Sequence, residues 1–186
     1  MIYVTNTSLD GYIEDEKGNF DWVNPEPVFG FITELIQPIG TYLCGRRLYQ
    51  TMEYWDGPVE NYLPEQRDFA RTWQKAQMII FSRTLTDVAR PNTRLARDFD
   101  PQAVRKLKRD AEHDISVGGA ELAGLALEAD LVDECHLFVN PVVVGGGKPA
   151  FPASLHRKLE LLETRPFDNG AVYVRYRVKG SVTGEA

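Results

Sequence analysis

The chain has 186 residues, of which 43% are hydrophobic and 11% aromatic; that suits one domain of generous size and excludes a disordered polymer. The formal charge of −6 argues against a nucleic-acid partner, and the basic residues of 105–109 read as a solvated helix face. No stretch approaches the roughly 20 apolar residues of a membrane helix. The opening MIYVTNTSLDG has neither the basic region nor the apolar run of a signal peptide.

Short β-branched or apolar runs alternate with longer amphipathic stretches. Ile2–Thr7 reads as a strand, and residues 8–24 as a loop rich in Asp and Gly. Residues 25–37 place Phe29, Ile32, Leu35 and Ile36 on one face of a helix. A short buried strand follows at 41–45, and GRRLYQTM begins the next turn or helix. Residues 64–76 are expected to be helical, with Phe69 and Trp73 one turn apart, and 78–82 to form a strand. Asp100-Pro101 opens a helix over 100–112. A strand at 114–117, a helix at 120–129 and a strand at 134–140 come next. Two further strands, 160–164 and 171–178, are joined by the turn Asp168-Asn169-Gly170. Repeated strand–helix–strand order predicts an α/β domain over 1–179 with a mainly parallel sheet covered on both faces. The last two strands should form an antiparallel hairpin at its edge, and 180–186 a flexible tail. Cys44 and Cys135, the two cysteines, lie in apolar strand-like runs and fit reduced thiols in a cytoplasmic protein.

Two glycine runs invite a ligand. Gly118-Gly119 follows a strand and opens a helix, which puts free backbone N–H groups and the positive end of the helix dipole at the carboxyl edge of the sheet. A phosphate cradle and a tight turn with no ligand both fit that pattern. Gly145-Gly146-Gly147 precedes KPAFP, whose prolines stop a helix; the spacing of a phosphate-binding P-loop is missing. This run is expected to turn the chain close to a neighbouring loop or a ligand. Arg46 and Arg47 end another strand and offer planar guanidinium forks, and Ser82-Arg83-Thr84 ends a third. Each alone fits a solvated strand end. Together they suggest a long polyphosphate ligand such as a dinucleotide.

Five segments carry a resemblance: TNTSLDGYIED at the first strand, GRRLYQTM after the second, FSRTL after the third, then ISVGGAELAGLALEADLVDE and LFVNPVVVGGGKPAF. In this order they resemble the dihydrofolate reductase-like superfamily. They are most similar to stand-alone bacterial reductases related to the reductase domain of riboflavin-biosynthesis enzymes. The resemblance implies the three-layer α/β/α fold, a homodimer and an NADPH-dependent reductase acting on a small heterocyclic, pterin-like or pyrimidine-like substrate. It would bring Gly45, Arg46 and Arg47 to the adenosine phosphates or the pyrophosphate. Ser82, Arg83 and Thr84 would surround the adenine ribose and its 2′-phosphate. Val117, Gly118, Gly119, Ala120, Glu121 and Leu122 would line the pyrophosphate. Thr5, Asp10 and Gly11 would sit beside the nicotinamide, with 8–24 acting as a lid.

The chain departs from the riboflavin-pathway pattern. GRRLYQTMEYWDGP stands where those reductases carry Gly-x-x-Thr…Asp-x-Pro, and Val117 replaces a substrate-contacting Glu. No zinc-deaminase ligand set is present, and the three histidines lack metal spacing. A reductase of 5-amino-6-(5-phosphoribosylamino)uracil and a non-catalytic nucleotide sensor therefore stand as alternatives. An imine or carbonyl acceptor needs a proton donor within about 3 Å. Asp10 and Glu26 are the candidates; Asp21 fits a surface carboxylate better. Tyr49, Trp55 and Phe29 suit either an apolar wall against a flat ring or plain core packing.

Overall fold

The computed structural model describes residues 1–23 and 28–181. β1 (Ile2–Thr7) leads into β2 (Tyr12–Glu14), α1 (Phe29–Ile36), β3 (Ile39–Gly45) and α2 (Arg46–Met52). Two 3-10 turns, Glu53–Asp56 and Val59–Asn61, connect to α3 (Pro64–Lys75), β4 (Gln77–Phe81) and β5 (Thr93–Ala96). Then come α4 (Pro101–Asp110), β6 (Asp114–Gly118), α5 (Ala120–Glu128), β7 (Glu134–Val139), β8 (Lys148–Pro149), β9 (Arg157–Pro166) and β10 (Val172–Ser181).

Eight strands form one sheet in the order β5-β4-β3-β6-β1-β7-β10-β9. Pairing is parallel from β5 to β7 and antiparallel at β10 and β9. The period-2 alternation of side chains sorts the strands into two cores. Leu43, Ile79, Ile115 and Val117 pack with Val104 of α4 and with Leu122, Ala126 and Leu127 of α5. Cys44, Met78 and Ile80 point to the other face, against Phe29 and Ile36 of α1 and Phe69 and Trp73 of α3. The result is the α/β/α sandwich expected from the sequence.

The start of α4 follows its capping chemistry. The Asp100 carboxylate accepts the Gln102 N–H at 2.9 Å and Pro101 supplies a ready-made first φ. Arg90 is buried and ties the exit of α3 to the turn before it: its guanidinium donates to the Asp56 carboxylate (2.9 Å), to Ala76 O (3.1 Å) and to Trp73 O.

The expected strands and helices are present, with three additions and shifted ends. β5 pairs with β4 although its TRLA sequence contains only one large apolar residue. β2 and β8 pair antiparallel across a long sequence interval as a miniature second sheet. β9 starts at Arg157 rather than 160. β4 ends at Phe81, leaving Ser82 as the first residue of the turn. The first residues of the helix expected over 25–37 lie outside the described residues, as do 182–186 of the expected tail. Among the described residues no helix is long and apolar enough to cross a membrane.

Candidate functional site

Parallel strands send their carboxyl ends to one edge, and three of the glycine- or arginine-bearing turns meet there. β3 lies between β4 and β6, with Gly45 opposite Phe81 and Cys44 opposite Gly118. The turn carrying Arg46 and Arg47 is therefore flanked by the Ser82–Thr84 turn on one side and Gly118-Gly119 on the other.

The two glycines of the first run have different reasons for being glycine. A Cβ on Gly118 would lie 2.3 Å from Leu48 Cδ2, so this position lets α2 close onto β6. Gly119 has φ +84°, a left-handed conformation at the N-cap of α5, and a Cβ there would meet nothing within 4 Å. The space in front of Gly119 is open, and so is that in front of Gly45. Bare backbone beside free helix N–H groups is what a phosphate-bearing cofactor needs, and the edge fits one there. Val117 and Leu122 send their side chains into the core, so only their backbone faces the edge. Ala120 and Glu121 line the cleft described below.

The arginines are already engaged. Arg46 is exposed and reaches Gln50 Oε1 at 3.4 Å. Arg47 lies 3.5 Å from Glu14. Arg83 grips the Asp98 carboxylate through Nε (2.8 Å) and a second guanidinium nitrogen. The buried Ser82 hydroxyl accepts the N–H groups of Thr84 (3.2 Å) and Leu85 (3.0 Å), with the Thr84 hydroxyl 3.4 Å away. That turn is thus preset by its own hydrogen bonds.

At the end of β1, Thr5 is half-buried and its hydroxyl donates to Asn6 O at 3.2 Å. The buried Asn140 amide donates to Thr7 O (3.1 Å) and Phe138 O (3.0 Å), clamping the ends of β1 and β7. Asp10 is exposed, and its two carboxylate oxygens accept the N–H groups of Val144 (3.2 Å) and Gly145 (2.8 Å). Leu9 N–H to Val142 O and Ala150 N–H to Gly11 O complete the lacing of these loops. The Ser8 hydroxyl exerts the largest influence and, with the Gly145 and Val144 N–H groups, holds the Asp10 carboxyl below the usual aspartate range against the opposing effect of desolvation. Asp10 is an acceptor that joins two loops. Glu26 lies outside the described residues, and Asp21 is exposed.

The second glycine run does what its sequence suggested. Gly147 has φ +132°, and a Cβ on it would fall 2.0 Å from Glu14 O. Its bareness lets the 145–148 loop press against β2. A cleft of about 830 Å³ opens between this β2–β8 pair and α5, reaching from Arg47 and Ala120 to Phe151. Ion pairs run along its near end: Arg47 to Glu14 (3.5 Å), Glu14 to Lys148 (3.5 Å) and Lys148 to Glu121 (2.9 Å). Lys148 holds the Glu121 carboxyl below its ordinary pKa. Glu14 and Lys148 are absent from the residues proposed from sequence; the lysine directly after GGG was the one available signal.

Tyr49 and Phe29 are buried in the core and Trp55 packs against it. Phe29 and Trp55 meet at 5.6 Å between ring centroids, and Trp55 and Phe69 at 4.7 Å. Core packing accounts for all three. Among the described residues no group of three His, Cys, Asp or Glu side chains is placed to hold a metal.

The model of one protein family, the RibD C-terminal domain, matches residues 1–173. The chain belongs to that family. The Bacillus subtilis protein YyaP is 33% identical over 181 residues, covering 93% of this chain and 92% of its own. Among solved structures, a pyrimidine reductase-like protein from Corynebacterium diphtheriae superposes with a TM-score of 0.72 at 17% identity, covering 97% of this chain and 92% of that one. A Thermotoga maritima diaminohydroxyphosphoribosylaminopyrimidine deaminase/5-amino-6-(5-phosphoribosylamino)uracil reductase gives 0.65 at 19% identity. This RibD C-terminal domain chain covers 56% of that enzyme while 96% of its own length is matched. At these identities the likeness is one of fold, and it agrees with the mainly parallel sheet and antiparallel C-terminal strands.

Proposed function

We propose that the protein is an NADPH-dependent reductase that delivers a hydride to a small pyrimidine-like or pterin-like heterocycle. The reading rests on the family and on one structural observation: the open backbone at Gly119 and Gly45 stands on the same sheet edge as Arg46, Arg47, Arg83 and Thr84. Gly119, Ala120 and the first turn of α5 would hold the pyrophosphate, with Gly45, Arg46 and Arg47 beside it. Ser82, Arg83 and Thr84 would take the adenosine end, where Arg83 exchanges Asp98 for a 2′-phosphate. Thr5 and Gly11 would border the nicotinamide, which supplies the hydride when bound.

The chain's own residues position and shield. Asp10, kept ionised by its hydrogen bonds, has no proton to give. Its role is to tie the base of the 8–24 lid to the 142–145 loop and so to order it. Glu26 is the proposed proton donor. The cytoplasm is the compartment that suits the two buried free thiols.

The protein is proposed to act as a homodimer. Leu137 and Val139 of β7, Val172 and Val174 of β10, and Leu159 and Leu161 of β9 share one sheet face by strand register. Leu161 and Leu159 remain 53% and 42% exposed. A second copy related by a two-fold axis would cover this face.

Turnover of NADPH with a panel of pyrimidines and pterins, followed by loss of its near-ultraviolet absorbance, tests the reading. NADPH should bind more tightly than NADH by about 1.5–3 kcal/mol, the contribution of a charge-assisted hydrogen bond. Equal affinities would remove the Arg83 assignment, and no oxidation with any acceptor would leave a nucleotide sensor. A second reading, the 5-amino-6-(5-phosphoribosylamino)uracil reductase step itself, is favoured by the Thermotoga neighbour; complementation of a riboflavin auxotroph decides it.

A further inference from the structure

The cations at the near end of the cleft are not idle. Lys148 is largely covered, with 23% of its side chain exposed, and stands between Glu14, itself 21% exposed, and Glu121, 84% exposed. Arg47 closes the row from α2, meeting Glu14 at 3.5 Å and acting on the charge of Glu121 as well. The four side chains come from four elements: α2, β2, β8 and α5. They lie at the end of the cleft that Ala120, the residue after Gly119, also lines, and their charges cancel.

We propose that Glu14 and Glu121 compete with a ligand's phosphates for Lys148 and Arg47, so that these two carboxylates set the affinity of the cleft for polyanions. The inference rests on the dinucleotide reading above and deepens it. Carboxylates outnumber cations along the whole lining, so a polyanion gains little from the field at a distance. At the near end of the cleft it is held where a cation is handed over from a carboxylate at contact range. The handover has a mechanical side. Glu14 is the last residue of β2, and Lys148 the first of β8. Drawing Lys148 and Arg47 toward a phosphate releases the ion pairs that fasten this small sheet to α5 and α2, while the backbone contact at Gly147 and the Asp10 hydrogen bonds keep its base in place. Lys148 is thereby assigned as a ligand-binding residue, with Glu14 and Glu121 as its affinity-setting partners.

The test is a set of binding titrations on the full chain with two probes, NADPH and inorganic pyrophosphate, for the wild type, Glu121→Gln, the Glu14→Gln/Glu121→Gln pair and Lys148→Met. Glu121 is exposed, so its substitution leaves the core untouched. Glu121→Gln should bind both probes roughly two- to fivefold more tightly, the factor that corresponds to an exposed ion pair, and the pair of substitutions more tightly still. Lys148→Met should weaken both probes. Unchanged or weaker binding in Glu121→Gln, with the wild type binding NADPH, overturns the competition and leaves the reductase reading intact. Tighter pyrophosphate binding in Glu121→Gln with no NADPH binding by any variant removes the dinucleotide reading and upholds the competition. No binding of either probe to any variant refutes both.

Discussion

Replacing Gly119 by alanine separates the two roles a glycine can have at a strand–helix junction. The residue sits at φ +84°, where an L side chain is strained, and its missing Cβ would meet nothing within 4 Å. Strain is therefore the sole folding cost, about 1–3 kcal/mol, with no overpacking added. If the pyrophosphate lies against this backbone, the new methyl occupies its place. The loss is then that of a charge-assisted hydrogen bond, about 1.5–3 kcal/mol, or on the order of ten- to a hundredfold in affinity. Gly118→Ala is the control, because its methyl would meet the Leu48 side chain instead of the open edge. Urea unfolding reads the first effect and NADPH titration the second. If Gly119→Ala loses stability as expected but binds NADPH like the wild type, the cofactor does not lie at this turn, and the glycine serves the backbone alone.

Four further outcomes are expected. Asp10→Asn keeps the shape but presents only one acceptor to the two N–H groups of Val144 and Gly145, so kcat should fall more than NADPH affinity; equal losses, or none, would refute the positioning role. The Asp10 carboxyl has a depressed pKa in the folded chain, so its stabilising contribution is complete above the ordinary value, about 4, and disappears as pH falls through the folded value. The stability difference between wild type and Asp10→Asn should accordingly vanish in acid, as followed by urea unfolding at a series of pH values. Arg90→Met removes the cation from the Asp56 carboxylate, which keeps only the Trp73 indole N–H among its side-chain donors, and takes a donor from the carbonyls of Trp73 and Ala76; it should cost about 3–5 kcal/mol by urea unfolding, and a loss under about 1 kcal/mol would show that solvent reaches the pair. Leu161→Glu should convert a dimer to a monomer in analytical ultracentrifugation, and a dimer that persists would place the contact elsewhere.

The central parallel strands were legible where they are buried on both faces and read as continuous apolar runs, as MIIF does at Met78–Phe81. The helices declared themselves by caps: Asp100-Pro101 for α4 and Pro64 for α3. β5 was not legible, because TRLA draws its stability from the partner strand β4 and not from its own composition. β2 and β8 were hidden for a related reason: three residues and two residues carry no periodicity, and their pairing exists only after folding brings Tyr12 opposite Pro149. At the site, residue types pointed to the turns proposed for phosphate but not to which side chains were already paired. The Asp98 partner of Arg83 and the Glu14–Lys148–Glu121 row depend on distances between elements far apart in sequence, and no local pattern encodes them.

The place of β1 in the sheet governs how the molecule must assemble. The first strand of the chain lies between β6 and β7, with Tyr3 opposite Val117 on one side and Cys135 on the other. Both neighbours lie more than a hundred residues further along the chain, so β1 stays unpaired until β6 and β7 have been made. Each of its ladders closes a loop of more than a hundred residues, given the separation of Ile2 from Ser116 and Glu134, and such closures place the protein among slow folders of high contact order. A nascent chain cut short before β7 would leave Tyr3 and its strand edges open to other chains. Pairing of β1 is a collective event set by the arrival of β6 and β7, and β6 carries into place the Gly118-Gly119 turn of the proposed ligand edge.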